Sequence, residues 1–295
     1  MRILITGGAG FIGSELAKTL QNHEVVTFDM ANADIEGDVL DKDSLIEAAQ
    51  DCDVVFHLAA FLGVKNTEEN PLKTLDINIM GVRNALDACV KNGVKKIVFS
   101  SSSEVYGNPE RTPISETDRL APVSVYGYTK VVGENYVKAY SAKYGLKYSI
   151  VRYFNVYGPR QRLDFVLPKM VHKAVRSEPL EIYGSGEQVR AFTHVKDAVN
   201  GTILAMEKGH NDTFNIGNDS EPVSINELAA RIIKITGSGS RILHIPLAKS
   251  DRSEAREIFK RVPSIIKARK ELGYMPAKTL DEGISDVADS YEDLQ

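Results

Sequence analysis

The first half of the chain alternates short apolar runs with longer stretches whose hydrophobic residues recur at helical spacing. The apolar runs are rich in Val, Ile and Phe, and several end at Gly, Asp or Ser, which is typical of buried strands. Strands that alternate with helices predict an α/β fold with a doubly wound parallel sheet. We predict strands at 2–6, 24–28, 53–58, 96–99 and 147–153, and helices at 14–20, 42–50, 70–92 and 126–144.

The second half has a different pattern, in which short strands and helices are mixed. Ser224 followed by Glu227 fits a capping box and marks the start of one helix. Helices are also expected after Pro263 and after Lys278, near the end of the chain. The remaining predicted elements are helices at 166–176, 195–208 and 224–236 and strands at 180–183 and 214–217.

Bulk properties argue against several classes of function. The chain has 295 residues and a net charge of −4 with no basic tract, which argues against nucleic-acid binding. No apolar run approaches membrane-spanning length, and a strand that begins at residue 2 leaves no room for a signal peptide. Cys52 and Cys89 are isolated, without metal-ligand spacing, and suit a reducing compartment. We therefore expect a cytoplasmic protein with no metal and no membrane association.

A glycine-rich segment, Gly7-Gly8-Ala9-Gly10-Phe11-Ile12-Gly13, connects the first strand to the first helix. Glycines let the backbone approach a pyrophosphate, to which the start of the helix presents free N–H groups. The spacing is GxxGxxG, not the more common GxGxxG. Asp29 ends the next strand, where a carboxylate binds the adenosine ribose diol and repels a 2′-phosphate. This order predicts a dinucleotide site that prefers NAD to NADP.

A serine-rich segment, 100–104, follows an apolar strand and ends in Glu104, while Tyr126 and Lys130 lie four residues apart on a predicted helix. Ligands of open α/β sheets bind beyond the carboxyl ends of the strands, so these groups are expected to line one crevice. Tyr126 and Lys130 share one helix face. A phenol has an unperturbed pKa of about 10, which a nearby ammonium group lowers. We predict Tyr126 as a base, helped by Lys130, with Ser102 relaying the proton.

Together these motifs resemble those of extended short-chain dehydrogenases/reductases, specifically the nucleotide-sugar epimerase/dehydratase family, which includes UDP-glucose/galactose 4-epimerases. The resemblance implies an NAD-binding Rossmann domain at 1–160, with elements returning near 190–217, and a smaller α/β substrate lobe at 161–295. It implies NAD as cofactor and a nucleoside-diphosphate sugar as substrate. It also implies a homodimer, in which the helices that carry Asn78 and Tyr126 form a four-helix bundle. The matching residues are 7–13, 29, 37–39, 57–60, 78, 100–107, 126, 130, 152–161 and 190–197.

The resemblance also assigns site residues. Arg190 resembles the family arginine that clamps the diphosphate, since a planar guanidinium binds such a group bidentately. The segment between Gln161 and Val166 is shorter than the loop of many relatives, which leaves the sugar open. The implied substrate residues are Ser102, Ser103, Glu104, Asn155, Arg190 and Arg261. The implied NAD residues are Gly7, Gly10, Phe11, Ile12, Gly13, Asp29, Asp38, Val39, Leu58, Ala59, Ala60, Asn78, Ser100, Tyr126, Lys130 and Tyr153.

The expected activity is an NAD-dependent 4-epimerase, in which Tyr126 takes the proton of the 4-hydroxyl and a transient 4-keto sugar accepts the hydride on its other face. A 4,6-dehydratase and a UDP-glucuronate decarboxylase are alternative activities, because many 4-epimerases carry a small residue at the position of Glu104. The set Ser103, Glu104 and Arg261 resembles decarboxylases, whereas dehydratases have an Asp at the position of Ser103. A reductase is a further alternative. A non-catalytic NAD-binding sensor is disfavoured by the intact Ser102, Tyr126 and Lys130.

Overall fold

A computed structural model of the chain describes residues 1–246, 248 and 258–292. In this part of the chain the strands are β1 (Arg2–Thr6), β2 (Glu24–Asp29), β3 (Ile35–Glu36), β4 (Val54–His57), β5 (Lys96–Ser102), β6 (Lys147–Tyr153), β7 (Val156–Tyr157), β8 (Leu180–Tyr183), β9 (Val189–Arg190), β10 (Thr193–His194), β11 (Asp212–Ile216), β12 (Val223–Ser224), β13 (Ile242–Ile245) and β14 (Lys260–Arg261). The helices are α1 (Phe11–Thr19), α2 (Lys42–Ala48), α3 (Val64–Glu69), α4 (Pro71–Leu75), α5 (Gly81–Lys91), α6 (Val125–Tyr144), α7 (Val166–Val175), α8 (Val195–Lys208), α9 (Ile225–Thr236) and α10 (Leu280–Glu292).

The centre of the fold is a seven-stranded parallel sheet in the order β11-β6-β5-β4-β1-β2-β3. One face packs on α2, α5 and α6, and the other on α1 and α8. This confirms the predicted α/β class and the doubly wound sheet. The chain changes direction across the sheet between β1 and β4, and ligands of such folds bind at the carboxyl ends of the strands on either side of that point.

Strand β5 does not end at Phe99, as predicted, but runs on to Ser102. Its pairing with β6 continues through the serines, up to Ser102 opposite Tyr153. The prediction was wrong because the apolar pattern reports side chains, whereas the ladder of backbone hydrogen bonds decides where a strand ends. The extension brings the serine hydroxyls onto the sheet itself.

Helix α1 begins at Phe11, earlier than the predicted start at Ser14. Gly10 occupies the N-cap position, so the glycine segment passes directly into the helix. The predicted helix at 70–92 is present as α4, a π-helical turn (Asp76–Met80) and α5. A π turn is common near functional sites, and this one holds Asn78 with its side chain in the interior.

The second half of the chain builds a smaller core from α7, α9, α10 and the parallel pair β8–β13. Helix α9 begins with the predicted capping box, in which Ser224 and Glu227 bond reciprocally. Strand β9 pairs with β12 on one side and with β14 on the other. This small sheet places Arg190 directly opposite Arg261.

Candidate active site

The glycine loop at the end of β1 is shaped for close approach of a ligand. Gly7 has φ of +74°, and a Cβ there would lie 2.7 Å from the backbone nitrogen of Ala59. A Cβ at Gly13 would overlap the carbonyl oxygen of Gly7. Within the described residues no side chain caps the start of α1, where Phe11 and Ile12 are the first helical residues. The loop therefore fits a pyrophosphate, which the backbone N–H groups of this helix terminus attract.

Asp29 stands at the end of β2 beside this loop. Its Oδ2 accepts from the backbone N–H of Ala9 at 3.1 Å, and its Oδ1 accepts from Met30 at 2.8 Å. These two bonds hold the carboxylate at the end of β2, beside the glycine loop. Further along, Asp38 accepts from the backbone N–H of Leu40 at 2.9 Å. Unlike these two carboxylates, the side chain of Val39 is buried in the hydrophobic core, where it packs against α5.

The segment after β4 forms the other wall of the predicted cofactor crevice. Leu58, Ala59 and Ala60 are all partly buried there, next to Gly7. Asn78 clamps this segment, since its Oδ1 accepts from the N–H of Phe61 at 2.7 Å and its Nδ2 donates to the Phe61 carbonyl at 3.1 Å. Nδ2 also donates to Thr129 Oγ1 at 3.1 Å, which ties the segment to α6.

Tyr126, Lys130 and Ser102 are brought together where β5 meets α6. Lys130 Nζ donates to the carbonyl oxygen of Ser100 at 2.8 Å and lies 5.5 Å from the centroid of the Tyr126 ring. The Ser102 side chain lies near enough to Tyr126 to lower the pKa of the phenol. Tyr153, opposite Ser102 on β6, shares a 2.7 Å hydrogen bond with Thr202 of α8. The site thus has a phenol, a hydroxyl and an ammonium group within one cluster.

The electrostatics of this cluster differ from the prediction. Burial raises the pKa of Tyr126, the charge of Glu104 raises it further, and the neighbouring Ser102 side chain opposes them. Burial also lowers the pKa of Lys130 to about 7, so this group is partly neutral at physiological pH. The pKa of Tyr126 is therefore raised overall, whereas the sequence predicted that it would be lowered. Its ammonium group points at the Ser100 carbonyl and the face of the phenol ring.

Glu104 lies on a 3-10 helix (Ser103–Tyr106) that follows β5. Its Oε2 accepts from the Ser124 hydroxyl at 2.6 Å, and its Oε1 is 3.6 Å from Nη1 of Arg261. Its backbone N–H donates to Ser102 Oγ at 3.2 Å. Sequence reasoning missed Ser124, the N-cap of α6, although a serine just before a helical pattern is the usual signal of an N-cap. Ser103, at the start of the 3-10 helix, is buried.

The two candidate arginines lie opposite each other on the paired strands β9 and β14. Arg190 is buried and its Nη1 donates to the carbonyl oxygens of Val189 and Phe259 at 2.9 and 3.4 Å. Asn155 Nδ2 donates to the carbonyl oxygen of Ala191 at 3.0 Å, so the segment after β6 lies beside β9. The predicted substrate residues are therefore neighbours across several elements: Asn155 beside the Arg190 segment, Arg190 opposite Arg261, and Arg261 beside Glu104.

A second buried group that sequence reasoning missed lies behind the cluster. The Glu134 carboxylate on α6 forms an ion pair with Arg152 of β6, with Nη2 to Oε2 at 2.6 Å and Nε to Oε1 at 2.8 Å. Arg152 also donates to the phenol oxygen of Tyr106 at 2.8 Å. Glu134 lies four residues beyond Lys130, and this spacing was the available signal. In the part of the chain described, no His, Cys, Asp or Glu cluster could hold a metal, and no helix could cross a membrane.

The comparisons with known proteins agree with this geometry. The family model described as "NAD dependent epimerase/dehydratase family" matches residues 3–217. The UDP-N-acetyl-alpha-D-glucosaminuronate decarboxylase of Bacillus cytotoxicus is 37% identical, over 100% of this chain and 98% of that protein. The UDP-glucose 4-epimerase structure of Thermotoga maritima, with UDP-glucose, has a TM-score of 0.93 at 33% identity and covers 100% of this chain and 99% of that one.

A third similar protein is the UDP-glucuronic acid 4-epimerase of Bacillus cereus, solved with a substrate analogue and NAD. It has a TM-score of 0.90 at 32% identity and covers 100% of both chains. The chain belongs to the NAD-dependent epimerase/dehydratase family of extended short-chain dehydrogenases/reductases, and the resemblance seen in the sequence is confirmed. Its members act as NAD-dependent epimerases, decarboxylases and dehydratases.

Proposed function

We propose that the protein binds NAD and a nucleoside-diphosphate sugar and transiently oxidises the sugar at C4. The glycine loop, the start of α1 and Asp29 would hold NAD, and Arg190 would bind the diphosphate. When bound, NAD supplies the hydride acceptor and returns the hydride within the same cycle. Tyr126 takes the proton of the 4-hydroxyl, and Ser102, which lowers the pKa of the phenol, would relay the proton. Protonated Lys130, whose ammonium group lies next to the ring, stabilises the phenolate.

The fate of the 4-keto sugar depends on groups near C5, and here the observation that carries our proposal is the placement of Glu104. This carboxylate lies beside Tyr126, hydrogen-bonded to Ser124 and 3.6 Å from Arg261. A 4-epimerase has no bond to make or break at C5, whereas a decarboxylase must protonate that carbon. We therefore favour decarboxylation of a sugar that carries a C6 carboxylate. Arg261, which lies 3.6 Å from Glu104, would orient this carboxylate.

The proposed decarboxylation begins with oxidation of the sugar at C4. Tyr126 takes the 4-hydroxyl proton as the C4 hydride leaves, which makes the sugar a β-keto acid. The C5–C6 bond breaks, CO2 leaves, and the electron pair of the bond becomes the enolate of C4 and C5. A solvent proton delivered through Glu104 forms the new C5–H bond. The hydride then returns to C4 and Tyr126 gives back its proton, so that one proton is consumed for each CO2 released.

The 4-epimerase expected from the sequence is the second candidate. Its support is the overall similarity to the Thermotoga UDP-glucose 4-epimerase, with a TM-score of 0.93. In this mechanism Glu104 makes only an accessory polar contact, which agrees with its bonds to Ser124 and Arg261. Both candidates share the chemistry of Tyr126 up to the 4-keto sugar. The epimerase then returns the hydride to the other face of C4, whereas the decarboxylase breaks the C5–C6 bond and protonates C5.

The deciding experiment is product analysis by NMR. The purified protein is incubated with NAD and, separately, UDP-glucose, UDP-glucuronate, UDP-N-acetylglucosaminuronate and the dTDP forms. Release of CO2 with formation of a UDP-pentose from a uronic acid supports decarboxylation. A 4-epimer with its carbon count unchanged supports the epimerase and rejects the decarboxylase. Binding of NAD and a nucleotide sugar without any change in the sugar would reject both and leave a sensor.

A further inference from the structure

Three side chains on one face of α6 contact three consecutive serines of β5. Tyr126 lies beside Ser102, which lowers the pKa of the phenol, and Lys130 Nζ donates to the carbonyl oxygen of Ser100 at 2.8 Å. One turn later, the Glu134 carboxylate accepts from the Ser101 hydroxyl at 2.6 Å. These spacings of four residues keep all three side chains on the side of α6 that faces the sheet.

The Glu134 carboxylate is the fixed point of this contact. Its side chain is fully buried, with 0% exposure, and it accepts from Ser101 Oγ and from two nitrogens of Arg152. A buried carboxylate with this many donors has one orientation, because any rotation would leave a charged oxygen without its partners. The carboxylate joins α6 to both β5 and β6. It therefore sets how α6 lies on the ends of the two strands.

We propose that Glu134 is a positioning residue for the Tyr126–Lys130 pair and that it acts through Ser101. The Ser101 hydroxyl fixes the end of β5. The Ser100 carbonyl therefore keeps its hydrogen bond with Lys130, and Ser102 keeps its place beside the phenol of Tyr126. Glu134 does not touch the reacting atoms. The inference rests on the proposed function in one respect, namely that Tyr126 and Lys130 are the acid–base pair.

The charge of Glu134 has a second effect on the same pair. It raises the pKa of Lys130 and so opposes burial, which is the largest cause and lowers that pKa to about 7. The other titratable groups that face Lys130 are Tyr126 on its own helix and neutral His57 on β4, while Arg152 of β6 faces Glu134. Without the Glu134 charge, Lys130 loses its proton at a lower pH. The alkaline limb of the rate profile would then move to lower pH, because the protonated form stabilises the phenolate.

The first variant is Ser101→Ala, which removes one hydroxyl and leaves the ion pair of Glu134 with Arg152 in place. Ser149→Ala is the matched control: its hydroxyl is also buried and donates to the Ala205 carbonyl at 2.7 Å, on β6 and away from the cluster. We expect both variants to fold and to lose similar thermal stability. Ser101→Ala should lower kcat about tenfold with little change in KM, as misplaced acid–base groups do, and Ser149→Ala should leave kcat near the wild-type value.

Two variants, Glu134→Gln and Glu134→Asp, distinguish the effect of the side-chain charge from the effect of the side-chain length. Glu134→Gln keeps the length and loses the charge, so the alkaline limb should move to lower pH. Glu134→Asp keeps the charge and shortens the side chain, so kcat should fall while the limb stays in place. Glu134→Gln leaves Arg152 buried without a counter-charge and can fail to fold. In that event the comparison of Ser101→Ala with Ser149→Ala still decides.

The outcomes separate this inference from the proposed function. A fully active Tyr126→Phe variant would reject the proposed function itself. An inactive Tyr126→Phe variant together with equal kcat values for Ser101→Ala and Ser149→Ala would overturn only the role of Glu134 and Ser101. A selective loss of kcat in Ser101→Ala supports it, and a moved alkaline limb in Glu134→Gln supports the electrostatic part.

Discussion

The hydroxyl of Ser124 donates to Oε2 of Glu104 at 2.6 Å and accepts from the backbone N–H of Gly127 at 3.0 Å. It is therefore both the N-cap of α6 and the hydrogen-bond partner of the carboxylate. A Cβ at Gly127 would lie 2.8 Å from the carbonyl oxygen of Glu104, so glycine allows the first turn of α6 to pack directly on the 3-10 helix. One hydroxyl group thus links the Glu104 carboxylate to the start of the helix that carries Tyr126.

Replacing Tyr126 with Phe removes the phenol that contacts Ser102 and keeps the ring. Loss of a positioned acid–base group lowers rates by roughly 10²- to 10⁴-fold, so we expect kcat to fall by that amount. NAD and substrate affinities should change little, because the phenol acts mainly in the transition state. Steady-state kinetics and equilibrium binding measure the two quantities. A Tyr126→Phe variant with near-normal turnover would contradict the mechanism at C4.

Replacing Glu104 with Gln distinguishes the candidate reactions. In a decarboxylase or a dehydratase, which move a proton at C5, the loss should approach that of Tyr126→Phe. In a 4-epimerase it should stay within about tenfold, since Glu104 then only contacts the substrate. Ser124→Ala is the companion variant, because it leaves the carboxylate in place without its hydroxyl donor. Rates of product formation on the substrate identified by NMR provide the measurement.

Asp29→Ala tests the preference for NAD. Losing a carboxylate that accepts from the ribose diol should weaken NAD binding roughly 10- to 100-fold. NADP binding should improve relative to NAD, because the charge that repels a 2′-phosphate is gone. Asp34→Asn is a suitable control, since that carboxylate also lies beside β2 but accepts from Thr27. Titration calorimetry with both cofactors gives the ratios, and unchanged ratios in Asp29→Ala would reject the assignment.

His57 should make the fold sensitive to acid. Burial lowers the pKa of His57 to about 3, with the charge of Lys130 as a second cause, whereas an unfolded histidine titrates near 6.5. Between these values the unfolded state binds more protons, so stability falls as the pH falls. At pH 5 the loss from this one group is about 2 kcal/mol relative to pH 7.

The measurement is urea unfolding of the wild type and His57→Asn at pH 7 and pH 5. An asparagine retains a polar atom near the position of Nδ1, which is 2.8 Å from Thr6 Oγ1. The variant should be less stable at both pH values and should lose less stability between them. The comparison uses the difference between pH values, so the cost of the smaller side chain cancels. Equal pH dependence in the two proteins would contradict a neutral, buried His57.

The predicted homodimer is tested through exposed apolar side chains on the two helical segments expected to pair. Leu72 of α4 is 74% exposed, Met80 of the π turn 40% and Tyr128 of α6 56%. Sedimentation at micromolar concentration should give a dimer for the wild type and a monomer for Leu72→Asp/Tyr128→Asp. Leu243→Asp on β13 is the control, at 42% exposure and on a different element. A monomeric wild type would reject the bundle.

Much of the fold could be predicted because its signals are local. Strand β6 and helix α8 have the predicted bounds, since apolar runs and helical periodicity report these elements directly. The end of β5 could not be predicted in the same way. Its last residues are polar and are held by pairing with β6, a contact between distant parts of the chain. Burial of Ser101 against Glu134 compensates for the polar character of this strand end.

The sequence predicted which residues belong to the candidate site, but it did not predict the contacts between them. Glycine spacing and the Tyr126–Lys130 spacing are readable, because they follow from local backbone geometry. The contact of Glu104 with Arg261 joins the end of β5 to β14, and no local pattern specifies it. The pKa of Tyr126 was predicted in the wrong direction, because the depth of burial decides it and the sequence does not report that depth.

The position of β11 at the edge of the sheet has a consequence for synthesis on the ribosome. This strand pairs with β6, yet the whole segment from β7 to α8 lies between the two strands in the sequence and is synthesised before β11. A nascent chain that has completed β6 therefore exposes an unpaired strand edge until Ile216 leaves the exit tunnel. Such an edge favours pairing with other chains, so fragments that stop near residue 160 should aggregate instead of folding into a stable cofactor-binding unit.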